Sequence, residues 1–290
     1  MSAPLPRLSV IGVGLIGGSL ARAVRDAGFA AEVVGWSRRS PSRDLALREG
    51  LVDRVEAEPE DAVRGADVVV LAVPLASSAA LAARVAPACA PGAILTDVGS
   101  VKTGVVAALE AAWPDASRVV GAHPIAGSER SGAEAATPGL FHGSHCVLTP
   151  TSRTHPQAVA RVRALWEAVG ASVHEMTPAA HDTLLARLSH APHVLAYALM
   201  DAVAGAAGAG GGLAYAGGGF RDTTRIAASS ADLWTEIVLE NAAAVLAALD
   251  EFDASLVTFR DAVARQDGPG LQRLMAAAAA ARRALDEESS

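Results

Sequence analysis

A glycine-rich turn between a strand pattern and a helix pattern constrains this chain more than any other feature. An apolar run at 8–11 leads into the turn at 12–17, an Ala- and Leu-rich helix pattern follows, and a second strand pattern comes at 32–36. In such a unit the glycines permit a sharp turn, close approach of a pyrophosphate and tight packing of helix on sheet. A glycine turn without a ligand is the alternative. The predicted dinucleotide contacts at the turn are Gly12, Gly14, Leu15, Ile16 and Gly17.

The composition excludes several classes of protein. The chain has 290 residues, 51% hydrophobic and 19% charged, which is typical of a globular protein long enough for two domains. A formal net charge of −7 provides no basic surface for nucleic acid. The sequence has neither an apolar run of membrane-spanning length nor a signal-peptide pattern. Cys89 and Cys146 lie far apart and are expected to be reduced thiols, so we expect a cytoplasmic protein without a membrane partner.

Strand and helix patterns alternate over the first part of the chain. Buried parallel strands are nearly continuous apolar runs, and 67–73 is such a run. We therefore predict an α/β fold whose N-terminal domain, at 1–178, is a Rossmann-type doubly wound sheet that binds a dinucleotide at the carboxyl ends of its strands. The predicted strands are 7–12, 31–36, 67–73, 93–98, 118–122, 145–149 and 172–176.

The pattern changes at about Thr177-Pro178, beyond which no strand is convincing. A long helix is predicted at 180–205, and the Gly/Ala tract at 206–219 is predicted to be a loop because it lacks side chains that pack. Residues 179–290 are expected to form an all-helical domain for substrate binding and dimerisation. Its modest core is expected to be completed by a second copy in a homodimer. Further helices are predicted at 222–229, 232–248, 250–266 and 269–286.

The end of the second predicted strand indicates which nicotinamide cofactor is used. An Asp or Glu there would hold the adenosine ribose of NAD, but this chain has Ser37, Arg38 and Arg39. A hydroxyl and two guanidinium groups suit a 2′-phosphate, so NADP is favoured and NAD remains possible. The alternative is that both arginines are solvated loop charges. Three further residues are expected near the cofactor: Val73, Pro74 and the single lysine, Lys102.

Polar residues cluster in four motifs, at 97–102, 121–129, 188–193 and 219–227. Taken together with the glycine turn, these motifs resemble the prephenate/arogenate (cyclohexadienyl) dehydrogenase family of tyrosine biosynthesis. The resemblance implies oxidative decarboxylation of prephenate or arogenate, with hydride transfer to a nicotinamide cofactor, forming 4-hydroxyphenylpyruvate or tyrosine. The sequence leaves open which of the two substrates is preferred.

The resemblance also implies roles for individual residues. His123 would accept the proton of the substrate hydroxyl, and Ser100 would orient His123 near the nicotinamide. Arg225 would bind a substrate carboxylate, while His190 and His193, three residues apart on a helix, would line the substrate site. Further substrate contacts implied by the resemblance are Gly218, Ser128, Glu129 and Trp234.

Other interpretations of these residues remain. His190 and His193 could be core histidines or a zinc pair, but no third ligand follows at metal spacing, so we predict no metal. His142, His145 and Cys146 fit no standard metal site. Another two-domain NADP-dependent dehydrogenase, an imine reductase and a non-catalytic NADP-binding sensor are the alternative functions. The β-hydroxyacid dehydrogenases use a lysine in the helical domain, and this chain has none there.

Overall fold

Eight strands form one sheet in this computed structural model, which describes residues 5–128, 130, 132–207 and 212–288. The strand order is β3-β2-β1-β4-β5-β6-β7-β8. The strands are β1 (Leu5–Ile11), β2 (Ala30–Trp36), β3 (Arg54–Val55), β4 (Val68–Leu71), β5 (Ile94–Asp97), β6 (Val119–Ile125), β7 (His145–Thr149) and β8 (Ser172–Glu175).

The sheet is parallel except between β6 and β7, which pair antiparallel. The order reverses at β1, because β2 lies on one side of it and β4 on the other. In a doubly wound sheet a ligand binds at such a switch point, outside the carboxyl ends of the strands. The predicted Rossmann-type fold is therefore confirmed. The two-residue strand β3 is the one strand in the described part that the sequence patterns missed.

Helices cover both faces of the sheet. One face packs against a cluster that includes Phe141 and Trp166, and the other against a cluster that includes Trp113. The helices are α1 (Leu15–Asp26), α2 (Ser40–Arg48), α3 (Pro59–Val63), α4 (Leu75–Val85), α5 (Thr103–Ala112), α6 (Pro156–Ala168), α7 (Pro178–Leu185), α8 (Ala191–Ala207), α9 (Gly218–Thr224), α10 (Ala231–Glu240), α11 (Ala242–Ala264) and α12 (Gly268–Glu288).

The long helix predicted at 180–205 is interrupted. A π-helical segment, Ala186–His190, joins α7 to α8. Pro192 follows two residues later, and a proline ring in an α-helix collides with the carbonyl four residues earlier and offers no N–H to it. A local π-helical widening is one of the ways in which a helix accommodates such a break.

The prediction of a loop at 206–219 is wrong in part. Residues 208–211 lie outside the described residues, but Gly212–Tyr215 form a 3₁₀ turn. Helix α9 begins at Gly218 and ends at Thr224, so it starts earlier than the helix predicted at 222–229. Gly218 and Gly219 have helical backbone although glycine packs poorly, because the residues from Phe220 onward continue the helix.

Contacts divide the chain into two compact units, Met1–Asn241 and Ala242–Ser290. The second unit consists of α11 and α12, and the first contains all eight described strands. The predicted boundary at 178 rests on a different criterion, the change from alternating strands to helices, so the predicted domain ranges stay a prediction. Of the helices described, none combines the length and apolar character needed to cross a membrane.

Candidate active site

A cleft of about 920 Å³ opens at the carboxyl edge of the sheet. The glycine turn after β1 lines one part of it, and residues after β4, β5 and β6 line the rest, with Leu233 and Ile237 from α10. Its volume lies in the range of small-molecule sites. The sequence-predicted residues that line it are Gly12, Gly14, Leu15, Ile16, Ser37, Arg38, Arg39, Val73, Pro74, Ser100, His123 and Ser128.

The glycine turn has the geometry that a pyrophosphate needs. Gly12 has a φ of +109°, and a Cβ there would lie 2.1 Å from the carbonyl oxygen of Ala72. A Cβ on Gly17 would lie 2.0 Å from the carbonyl oxygen of Gly12, so both positions require glycine. A Cβ on Gly14 would meet nothing within 4 Å. Since α1 begins at Leu15 without a side-chain cap, its N–H groups face the cleft and suit a phosphate.

Positive charge lines the far end of the cleft. Arg38 and Arg39 follow β2 there, and neither forms an ion pair within the part of the chain that the structure describes. Arg84 lies at the same end but is held by Glu58 and Glu60. None of the described residues that line the cleft is Asp or Glu. The lining is therefore suited to an anionic ligand.

Lys102 immediately precedes α5, and its side chain is buried. Its side chain is 0% exposed, and the ammonium pairs with Asp97 and donates to the carbonyl of Ala122 over 2.9 Å. Lys102 is absent from the cleft lining, and its predicted contact with the cofactor stays a prediction. The Asp97 carboxylate also accepts from the N–H groups of Gly99 and Ala122, which joins the end of β5 to the middle of β6. Lys102 thus stabilises the strands next to the cleft without lining it.

His123 reaches the cleft from β6, and a buried chain of hydrogen bonds stands behind it. Its Nδ1 lies 2.8 Å from Nε2 of His181. Nδ1 of His181 lies 2.8 Å from the Asp182 carboxylate. The same carboxylate accepts from the N–H groups of Lys102 and Thr103 at 2.8 and 2.7 Å, and so caps the start of α5. Helix α7 is thereby joined to both β6 and α5.

The electrostatics of this chain favour a neutral His123 and a charged Asp182. Burial, followed by the fields of His181 and Lys102, holds the pKa of His123 well below its usual range. Burial raises the pKa of Asp182, but hydrogen bonds from His181 and Thr103 outweigh it and lower the pKa to about 2. A neutral imidazole at physiological pH can accept a proton.

A second group of predicted residues lies around Trp234. The His193 ring stacks on Trp234, with centroids 3.3 Å apart and planes at 17°. His190 meets the same indole edge-on at 6.1 Å. Burial lowers the pKa of His190 to about 4, and burial likewise lowers the pKa of His193, where the Arg225 charge adds to the effect. All of these side chains lie outside the cleft lining, although the His190 field reaches His123.

Gly218 and Glu129 are the two remaining predicted substrate contacts. Gly218 is the first residue of α9, and a Cβ there would meet nothing within 4 Å. Glu129 lies outside the described residues.

Three buried polar residues of this site were not predicted from the sequence. His181, Asp182 and Asn241 are 0%, 4% and 6% exposed, and all three belong to one hydrogen-bond network with His123 and His190. The adjacent pair His181-Asp182, near the start of a predicted helix, was the available clue.

Two sequence models of one family match consecutive parts of the chain. The model described as "Prephenate dehydrogenase, nucleotide-binding domain" matches residues 20–175. The model described as "Prephenate dehydrogenase, dimerization domain" matches residues 177–277.

Comparisons with individual proteins and solved structures indicate the same family. The chain is 40% identical over 263 residues to cyclohexadienyl dehydrogenase of Zymomonas mobilis, a match that covers 90% of this chain and 89% of that protein. The structure is similar to that of A. aeolicus prephenate dehydrogenase in complex with hydroxyphenyl propionate and NAD+, with a TM-score of 0.93, 32% identity, and coverage of 98% of this chain and 100% of that one. It is also similar to arogenate dehydrogenase of Synechocystis, with a TM-score of 0.84, 31% identity, and coverage of 96% and 99%.

Proposed function

Because this chain belongs to the prephenate dehydrogenase family, whose members are nicotinamide-dependent oxidoreductases, we propose that it oxidatively decarboxylates prephenate or arogenate with NADP. The observation that carries the proposal is that His123 and Ser100 line the same cleft as the glycine turn. A base that can act on the substrate and a site for the nicotinamide dinucleotide then lie in one cavity.

The substrate chemistry determines what the residues do. The ring bears a hydroxyl at C4 and a carboxylate at C1, and loss of hydride from C4 creates a carbonyl as carbon dioxide leaves and the ring becomes aromatic. His123 accepts the hydroxyl proton at Nε2, since its Nδ1 is taken up by His181. Ser100 lines the same cleft and orients the hydroxyl. Aromatisation supplies the driving force, so no metal is required.

The remaining site residues bind the substrate carboxylates and side chain. Arg225 is exposed and supplies a fixed guanidinium fork for one carboxylate. His190, His193 and Trp234 form the wall beside it. We include Gly218, Ser128 and Glu129 in the substrate site on the strength of the family motifs alone.

The dinucleotide is held by the glycine turn and the end of β2. The open position at Gly14 and the uncapped start of α1 would receive the pyrophosphate. A bound nicotinamide supplies the hydride acceptor. Ser37, Arg38 and Arg39 would bind the 2′-phosphate of NADP, supported by the two unpaired guanidinium groups and the absence of any carboxylate among the described lining residues.

We also propose a homodimer. Helices α11 and α12 carry exposed apolar side chains that a second copy would cover. These side chains are Leu246, Phe252, Leu256, Val257, Val263, Met275 and Leu285. Size-exclusion chromatography with light scattering is expected to give twice the chain mass, and a monomer at all concentrations would contradict the proposal.

Initial rates of nicotinamide reduction test the function. Prephenate and arogenate are each supplied with NADP and with NAD, and turnover of either substrate is expected, with a higher kcat/KM for NADP. Higher kcat/KM for NAD would overturn the cofactor assignment but leave the reaction intact. Folded, dimeric protein that binds NADP and turns over neither substrate would favour a cofactor-binding sensor.

A further inference from the structure

His181 and Asp182 form a buried chain of hydrogen bonds behind His123, and the proposed reaction assigns neither residue a role. Among the described residues, His181 makes two side-chain hydrogen bonds, one to His123 and one to Asp182, each 2.8 Å long. Both rings and the carboxylate are buried, with exposures of 9%, 0% and 4% for His123, His181 and Asp182. Because each pair is in direct hydrogen-bond contact, a proton fixed at one end constrains the tautomers of both rings.

We propose, building on the function proposed above, that His181 and Asp182 are positioning residues that fix the tautomer and direction of His123. Asp182 determines the position of the first proton. Its carboxylate can only accept, so Nδ1 of His181 carries a proton and donates it to that carboxylate. In this arrangement His181 carries that one proton only, so its Nε2 is unprotonated.

The tautomer of His123 follows from that of His181. An unprotonated Nε2 on His181 accepts, so Nδ1 of His123 donates to it across the 2.8 Å contact. His123 therefore keeps its lone pair on Nε2, the atom required for a base. The other tautomer would place two lone pairs against each other in a buried contact, which is costly.

Asp182 also favours the product of proton transfer. When Nε2 of His123 accepts the hydroxyl proton of the substrate, the ring becomes an imidazolium and its Nδ1–H still donates to His181. The ionised Asp182 favours that charge and so offsets part of the effect of burial and of the His181 and Lys102 fields, which lower the pKa of His123. No proton moves along the chain, and Asp182 remains ionised, as does the aspartate behind the histidine in serine proteases.

Asp182 is itself fixed by the fold. It accepts the N–H groups of Lys102 and Thr103 at the start of α5. Asn241 donates to its backbone carbonyl over 2.8 Å. Replacing Asp182 would therefore disturb α5 as well as the hydrogen bond to His181. The described side-chain hydrogen bonds of His181 are only those to His123 and Asp182. His181 is the position at which to test the proposal.

Two substitutions of His181 separate its two bonds. A glutamine side chain reaches as far as Nε2 and keeps an acceptor for His123, whereas an asparagine reaches only as far as Nδ1 and keeps the bond to Asp182. We expect His181→Asn to lower kcat about 10- to 100-fold with KM within about threefold, and His181→Gln to retain most of kcat. The matched control is His174→Asn, because His174 also pairs with a histidine, His145, over 3.0 Å but is exposed.

Nitrogen-15 spectra of the histidine rings give a readout independent of turnover. In the wild-type protein the His123 resonance, assigned by its loss in His123→Asn, is expected to show a protonated Nδ1 and an unprotonated Nε2. In His181→Asn it is expected to show a mixture of tautomers.

The outcomes separate this proposal from the function itself. Wild-type turnover with unchanged kcat in folded His181→Asn, or a His123 protonated on Nε2 in the wild-type spectrum, would overturn the positioning role. Absence of wild-type turnover would refute the function and leave the tautomer measurement as a direct test of the chain. Equal losses in His181→Asn and His181→Gln, with an unchanged His123 tautomer in both, would show a packing role and overturn the proposal.

Discussion

Asn241 donates to Nδ1 of His190 over 3.1 Å, which leaves the proton of the neutral His190 ring on Nε2. The direction is certain because the same amide nitrogen also donates to the carbonyl of Asp182, and only the NH₂ side of an amide can do so. His190 therefore presents a donor, whereas the positioning proposal gives His123 an acceptor. The two histidines have opposite tautomers, set by neighbouring parts of one network.

Removing the Asn241 amide should destabilise the protein. Asn241→Ala leaves the Asp182 carbonyl and His190 Nδ1 without their donor in a buried setting, and we expect a loss of about 1–3 kcal/mol in the free energy of unfolding. Urea denaturation measures it. Glu240→Ala, at the exposed neighbouring position, is the control and should change stability by less than about 0.5 kcal/mol. Equal effects at both positions would show that the amide bonds contribute little.

The buried pair of Lys102 and Asp97 should be sensitive to loss of one partner. Lys102→Met leaves a carboxylate that is 1% exposed without its cation, which costs about 3–5 kcal/mol. The double substitution Lys102→Met with Asp97→Asn removes the unpaired charge and should recover part of that loss. Arg22→Ala, which breaks an exposed pair with Asp26 on α1, serves as the control and should cost less than about 1 kcal/mol. A double variant less stable than Lys102→Met would contradict the ion-pair interpretation.

Stability should decrease as the pH falls below 6.5. The folded protein holds the pKa of His190 at about 4, whereas the unfolded chain titrates near the ordinary value of 6.5. The unfolded state therefore binds more protons between these values, and the stabilisation, fully present above 6.5, is lost as pH falls towards 4. His123 acts in the same direction because burial lowers its pKa too. Thermal unfolding at pH 8, 6.5, 5 and 4 measures the trend, which should be shallower in His190→Asn; identical slopes would exclude His190 as a source.

A carboxylate at the end of β2 should reverse the cofactor preference. Ser37→Asp would repel a 2′-phosphate and offer an acceptor to a ribose 2′-hydroxyl, so kcat/KM should fall about tenfold or more for NADP and rise for NAD. The control is Ser42→Asp, because Ser42 lines the same end of the cleft but lies within α2. An equal loss with both cofactors in Ser37→Asp would indicate general damage to the site.

The indole of Trp234 should matter for substrate binding through its stack with His193. Trp234→Phe keeps an aromatic face at 3.3 Å spacing, whereas Trp234→Leu removes it. We expect KM for the substrate to rise about tenfold in Trp234→Leu and less than about threefold in Trp234→Phe, with the KM for NADP unchanged in both. Equal KM values in the two variants would show that the stack of His193 on Trp234 does not contribute to substrate binding.

The sheet could be predicted from sequence because its signal is local. Runs such as 67–73 are apolar over their whole length, as buried parallel strands must be. The two residues of β3, Arg54 and Val55, are too few to form a pattern. The glycine turn was equally predictable, since the φ of +109° at Gly12 is a requirement that other residues rarely meet.

The network behind His123 could not be predicted because it is assembled from distant parts of the chain. His181 is 58 residues from His123, and Asn241 is 59 residues from Asp182. Nothing in the local pattern of a helix shows which strand end its polar residues will meet. The burial of the Lys102 side chain was not predicted either, because its contact with the carbonyl of Ala122 on β6 depends on how the sheet is assembled.

The π-helical segment Ala186–His190 makes the length of this part of the chain a constraint in its own right. Each residue of an α-helix turns the chain by about 100°, so deleting one residue here would restore regular winding but rotate everything after it by that angle. His193 would leave the face of Trp234, on which it now stacks. Substitutions in the segment can be judged one side chain at a time, but a single-residue deletion would change the direction of every side chain in α8 at once.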